Sequence, residues 1–201
     1  MVLSEVEYTD EVFDGKDFNE CSFYRCTFIR CSFRGADMKE CRSEGSTFSE
    51  CDFQGAWMNV SEHKNSAFTN CQFRMANLFN ASFHGCKMTG SMFEEAKLSG
   101  IMIHGGDWAY ANLRMHHLKK INFRGAKLVQ ADFYGCNLQQ ADFRKADLTN
   151  AILDTATITG ADFRGAVIHG VNLASLNLRG VHVDLSQAIA IVQALGGLVE
   201  E

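Results

Sequence analysis

In "FNECSFYRCTFIRCSFRG" (residues 18–35) the thiols Cys21, Cys26 and Cys31 stand five residues apart, each two positions before a phenylalanine. Cysteines so close together can ligate zinc, pair as disulfides, or do neither. Short zinc motifs bring ligands together as C-x2-4-C and repeat the pair at a distance. Here the interval is five and it does not stop: all eight cysteines (21, 26, 31, 41, 51, 71, 86 and 136) share one column of a five-residue period, whose other occupants are mostly Ala with some Ser. Cys31, Cys51 and Cys71 would stack within the Cα range of a disulfide, but as parallel side chains. The cysteines therefore read as small buried residues that exchange with alanine, with no metal site and no disulfide expected.

Two further groups invite chemistry. Ser43 and His63 are twenty residues apart and should stack, yet no third orienting residue or oxyanion donor accompanies them, so a satisfied core histidine or a local bulge is the expectation. His116 and His117 in "RMHHLKK" interrupt the small-residue column and mark a distorted corner. The chain is expected to have no catalytic residues and no cofactor, and not to be an enzyme.

What must position these residues is the period itself. Two residues after the cysteine column runs a second column, from Phe13 to Val183, in which 33 of 35 positions are Phe, Leu, Met, Ile, Trp or Val, and which holds fifteen of the sixteen phenylalanines. Neither a helix nor a simple strand keeps one residue in five pointing inward for so long. A coil with a corner every five residues does. Four pentapeptides per square turn would stack residues twenty apart at the strand spacing of roughly 4.8 Å, giving about eight coils and a rod on the order of 40 Å long. The predicted fold is all-β, a quadrilateral parallel β-helix over residues 13–183, with 1–12 as an N-terminal cap and 184–201 as a helix and tail.

Proline is absent, which suits a backbone whose N–H groups are nearly all needed between strands. No apolar run is long enough to span a membrane, and the N-terminus is acidic, so a soluble, cytoplasmic protein with reduced thiols is expected.

An open solenoid end must be capped or paired. After Val183, "DLSQAIAIVQALGG" offers Asp184 as a helix N-cap, Leu185, Ala188, Ile189, Val192 and Leu195 at helical spacing, and Gly196–Gly197 as a stop. This helix either covers the last coil alone or also packs on a twofold mate, with Ile191 and Leu198 as apolar surface beyond the first face.

The net charge is −5, unevenly spread. On the face with Phe13, Phe33, Phe53 and Phe73 at its core, Glu11, Asp14, Asp52, Glu94, Glu95, Asp132 and Asp154 outnumber Arg34, Arg74 and Arg114. The preceding face is also acidic, and the other two are mildly positive; along the chain, Lys97, Arg114, Lys119, Lys120, Arg124 and Lys127 form a basic cluster opposed only by Asp107. Trp57, Phe79 and Tyr134 fall at outward positions.

With repeats such as "ADFRKADLTNA" (141–151), the chain resembles the pentapeptide-repeat family, whose repeat reads A(D/N)LXX and whose fold is a right-handed quadrilateral β-helix. Within it, "SEHKNSAF" (61–68), "ASFHGCKMTGSMF" (81–93) and "VHVDLSQAIAIVQALGG" (181–197) are similar to the topoisomerase-protecting members of the MfpA and Qnr type. That resemblance implies a DNA mimic that binds the A subunits of DNA gyrase and protects the enzyme from poisons such as quinolones or a natural-product toxin. It implies an acidic contact face including Asp52, Glu94, Glu95, Asp132 and Asp154, and a homodimer through Leu185, Ile189, Val192 and Leu195. Two such rods would span roughly 80 Å, comparable with about 24 base pairs at 3.4 Å each. The basic cluster suits an acidic surface such as that of the gyrase B subunit; neither nucleic acid nor membrane is an expected direct partner. The alternative is a scaffolding solenoid with another protein partner.

Overall fold

The computed structural model describes residues 1–200, which wind into a four-sided parallel β-solenoid. One face carries β1 (Val2–Ser4), β3 (Ser22–Tyr24), β5 (Arg42–Glu44), β7 (Glu62–Lys64), β9 (Ser82–His84) and β10 (Met102–His104), hydrogen-bonded in that order. The next face carries β2 (Glu7–Thr9), β4 (Thr27–Ile29), β6 (Thr47–Ser49) and β8 (Ala67–Thr69). The register is twenty residues throughout, with Tyr8 opposite Phe28 and His63 opposite Phe83. Isolated parallel bridges such as Ser32↔Asp52 and Asp37↔Trp57 carry the other faces and most of the C-terminal half. Regular strands therefore amount to only about five turns, fewer than the eight or so coils expected, and single bridges supply the rest. The ladder also begins inside residues 1–12, expected to be a cap, because Leu3 and Tyr8 continue the apolar column and pack on the core.

Each side is closed by a corner residue in the left-handed region, for example Glu50 (φ 56°) and Asn70 (φ 54°). Their N–H groups donate to the next coil, Glu50 to the Thr69 carbonyl (2.8 Å) and Asn70 to that of Thr89 (2.9 Å). Inside, phenylalanines stack along the rod: Phe33 on Phe53, Phe53 on Phe73 and Phe73 on Phe93, each with ring centroids 5.0 Å apart. That separation matches the strand spacing, so the rings and the ladder share one repeat.

All eight cysteines are buried as free thiols. Several donate to the carbonyl 23 residues earlier: Cys51 to Phe28 (3.4 Å), Cys71 to Phe48 (3.3 Å), Cys86 to His63 (3.3 Å) and Cys136 to Leu113 (2.8 Å). Ser46 and Ser91 do the same toward Phe23 (3.0 Å) and Phe68 (2.7 Å). Burial pushes the Cys86 and Cys136 thiols up to about 11, which keeps them protonated donors at neutral pH.

Ser43 and His63 stack as the spacing predicts, and β5 and β7 pair without a bulge. The Ser43 hydroxyl lies 2.8 Å from His63 Nδ1, and Ser61 lies 3.0 Å from Nε2. Ser43 also donates to Ser66 (2.9 Å), and the imidazole stacks on Phe83 at 4.9 Å. The histidine is a fully buried, satisfied core residue. Burial depresses its pKa to about 3.

Truncating Phe73 to Ala should cost about 3–5 kcal/mol in denaturant unfolding, because the rigid coils cannot collapse onto the cavity. Cys51→Ala should cost far less, as it removes one weak thiol bond. Because His63 is neutral in the fold but titrates near 6.5 when unfolded, its contribution is intact above pH 6.5 and is lost as pH falls toward about 3, by up to about 1.4 kcal/mol per pH unit. Unfolding midpoints of the wild type should therefore fall more steeply between pH 7 and pH 4.5 than those of an H63F variant.

Candidate partner-binding surfaces

The acidic face is built from the outward positions of the pentapeptides that follow residues 11, 31, 51 and so on, so its charges stack along the rod at the coil repeat. Its five sequence-nominated carboxylates fall into two groups. Glu94, Glu95 and Asp154 are exposed and make no ion pair among the described residues. Asp52 and Asp132 are not free: Arg34 Nε donates to Asp52 at 2.6 Å, and Arg114 to Asp132 at 3.0 Å. Each aspartate also accepts the backbone N–H two residues on, Gln54 at 2.9 Å and Tyr134 at 2.9 Å, which pins it against the corner. Arg114 covers the Tyr134 ring at 4.4 Å. Two of the three arginines that the sequence sets against the seven acids of this face therefore pair with its own aspartates.

The C-terminal element forms as the sequence predicts. Helix α1 (Leu185–Ala194) starts with a full capping box, in which Asp184 accepts from the Gln187 N–H (3.0 Å) and the Gln187 side chain accepts from the Asp184 N–H (3.0 Å). Gly196, at φ 83°, follows its end. Its packing face differs from the expected one. Gln187 and Ile191 are the buried residues, and Gln187 Nε2 donates to the Phe163 (2.6 Å) and Ala166 (2.8 Å) carbonyls of the last coil. The Ala166 carbonyl takes this amide and the Phe163 carbonyl adds it to the Ala166 N–H it already accepts, so a glutamine decides which face turns inward. Leu185, Val192 and Leu195 are consequently exposed and Ile189 half-buried, forming an apolar stripe that faces away from the rod.

The basic cluster divides in the same manner. Arg114 is paired with Asp132 and Lys127 with Asp107 (3.3 Å), whereas Lys97, Lys119, Lys120 and Arg124 are exposed without ion pairs among the described residues. These four flank a break in the ladder next to His116, whose Nε2 lies 2.7 Å from the Phe93 carbonyl. The sequence marks a distorted corner there but not an opening. Trp57 and Phe79 are half exposed, and Tyr134 is partly covered.

Comparison with known proteins places this architecture. A model of a pentapeptide repeat region matches residues 2–78, and a model of pentapeptide repeats matches residues 64–101, 117–154 and 155–187, in eight copies. Of the residues that neither model matches, 102–116 adjoin the ladder break. No curated protein matches the chain. Among solved structures, the chain is similar to a trypsin-treated variant of QnrB1, a plasmid-mediated fluoroquinolone resistance protein, at 21% identity over 100% of both chains with a TM-score of 0.78. A second trypsin-treated variant of QnrB1 gives 21% identity over 98% of this chain and 99% of that one, with a TM-score of 0.76. Full-length QnrB1 gives 20% identity over 98% and 100% with a TM-score of 0.64. Repeat pattern, twenty-residue register and matched residues agree, and this chain belongs to the pentapeptide-repeat family.

Proposed function

We propose that this protein is a non-catalytic interaction protein that binds DNA gyrase in place of DNA and shields the enzyme from poisons that trap its cleaved complex. The observation that carries this reading is the acidic side of a rod whose fold matches, over its whole length, that of a fluoroquinolone resistance protein. Rows of carboxylates at a fixed repeat meet a cationic DNA channel as phosphates do, by long-range attraction rather than by shape alone. Glu94, Glu95 and Asp154 supply accessible charge, while Asp52 and Asp132 contribute through exchangeable surface ion pairs. The gyrase A subunits are the proposed partner, in the cytoplasm, with no direct contact to nucleic acid.

A homodimer completes the reading. The stripe of Leu185, Ile189, Val192 and Leu195 lies at an open solenoid end, where a twofold mate would cover it and place the two acidic sides on one longer rod. Sedimentation at micromolar concentration should give a dimer, and changing Ile189 and Val192 to Asp should give monomers or aggregates. A monomeric wild type would remove the dimer from this account.

Gyrase supercoiling and cleavage assays with a fluoroquinolone test the function. Reversing Glu94, Glu95 and Asp154 to Lys should weaken gyrase binding and protection steeply, more so at low salt, since such contacts are screened over roughly 8–10 Å. D132N should have a smaller effect, because Arg114 already offsets that charge. Lys119 and Lys120 reversals are the control. Loss of protection in the lysine variants alone would reject DNA mimicry, and absence of gyrase binding in the wild type would favour a scaffolding role.

A further inference from the structure

Two adjacent faces of the rod lack their ladder at one level. In the coil before it, Leu78 donates to Lys97 (2.9 Å), Asn80 to Ser99 (3.0 Å) and Gly85 to His104 (3.0 Å). In the coil after it, Leu118 donates to Asn137 (2.8 Å), Lys120 to Gln139 (2.8 Å) and Gly125 to Arg144 (3.0 Å). Between these, among the described residues, no backbone hydrogen bond joins Leu98, Gly100, Ile103 or Gly105 to the carbonyls of His117, Lys119, Asn122 and Arg124, and no bridge joins Lys97 to His117 or Met102 to Asn122. The other two faces stay closed, with Trp108 donating to Lys127 (2.7 Å) on one and Leu113 to Asp132 (2.9 Å) on the other. Gly106 (φ 88°), whose carbonyl accepts from Lys127 (3.0 Å), begins the closed edge and lies so close to the preceding coil that a Cβ would run into the Cys86 carbonyl.

The wedge is a set of three large residues in the small-residue column. His116 keeps the column's bond to the carbonyl 23 residues back, but with an imidazole where the same face of the neighbouring coils has Ala96 and Cys136, and Ile101 and Ile121 stand in that column on the next face. The core there is measurably looser. Ala96, Ile101 and Ile121 are each 7% exposed, against 0% for Ala76, Ala81 and Phe83. Two clefts result, of about 310 Å³ and 330 Å³, the first bounded by Ile101, Ile103, Leu118 and Ile121 and the second by Phe79, Leu98 and His116.

We propose that this opening is a docking groove for an extended acidic segment of a partner protein, which lays its main chain along the freed strand edges and its carboxylates against Lys97, Lys119, Lys120 and Arg124. Strand edges recognise main chain through alternating N–H and C=O groups, which an extended peptide offers and a phosphate backbone does not. The four flanking cations have no ion-pair partner among the described residues, so the complementary charge is negative. Lys127 is already held by Asp107, and Glu94 and Glu95 occupy the preceding corner, on the acidic face. The apolar floor suits the alternate side chains of a strand, one pointing in and the next out. The groove lies on the faces away from the acidic side, and this inference does not rest on gyrase being the partner.

The test uses the full chain and a fluorescein-labelled heptapeptide of alternating Glu and Val, read by fluorescence anisotropy and by amide exchange. Free protein should exchange the amides of Leu98, Gly100, Ile103 and Gly105 much faster than those of Leu78, Asn80 and Gly85, and the peptide should slow them. Affinity should fall at least about tenfold when the peptide's alternate backbone amides are methylated, and also in K119E/K120E. H116A combined with I101A and I121A, which returns the column to small residues, should restore protection without peptide and abolish binding. Absence of binding, binding indifferent to amide methylation, or displacement by a duplex oligonucleotide as effectively as by unlabelled peptide would each overturn the proposal.

Discussion

A left-handed residue at nearly every fifth position is the constraint on which this molecule depends. Twenty-one non-glycine residues among those described hold positive φ, including Val60, Tyr110 and Thr155, for which the region is strained by about 1–2 kcal/mol each. No isolated corner would persist at that cost. Most of them, Val60 and Tyr110 included, are offset by an N–H bond to the next coil and by the ring they let fall into the stack, so such a corner is stable only because the coils on either side are already in place. The absence of proline follows: its fixed negative φ is incompatible with the corner, and elsewhere it would delete a ladder donor.

Identical register also governs the surface. Because each outward position is repeated twenty residues later, most charges meet their neighbours across coils, although Lys39–Asp37, Arg144–Asp142 and Arg164–Asp162 pair within one coil. Arg30 pairs with Asp10 at 2.7 Å and Arg34 with Asp52 at 2.6 Å. Exposed pairs of this kind contribute little to stability. Their weight is in the pattern of charge left over, which is what a partner meets.

Much of this is legible in the sequence because a five-residue period has few geometric solutions. The Phe column, the stacking of Ser43 on His63 and the N-cap at Asp184 all follow from spacing. What spacing hides is pairing that runs diagonally. Asp52 and Arg34 are eighteen residues apart, and nothing in a column marks them as partners. The inward face of α1 escapes a reading that assigns apolar residues to the core, because Gln187 turns inward to satisfy two carbonyls of the last coil. The cysteines are more than inert alanine equivalents, since their thiols serve carbonyls that alanine leaves to other donors. The opening beside His116 has a visible signal, large residues (Ile101, His116 and Ile121) in a small-residue column. The period continues unbroken through it, so the chain keeps count while the ladder parts.

The parted ladder has a mechanical meaning. A solenoid transmits order from coil to coil through nearest-neighbour bonds, and its cooperativity is that of its weakest junction. Halving the bonds at one junction divides the rod into an N-terminal block rich in stacked phenylalanine and a C-terminal block rich in leucine, joined along the line of Gly106. Thermal motion concentrates in such a joint. The two blocks can flex about it as nearly rigid bodies, and under tension they would yield there first, one block unravelling while the other stays wound.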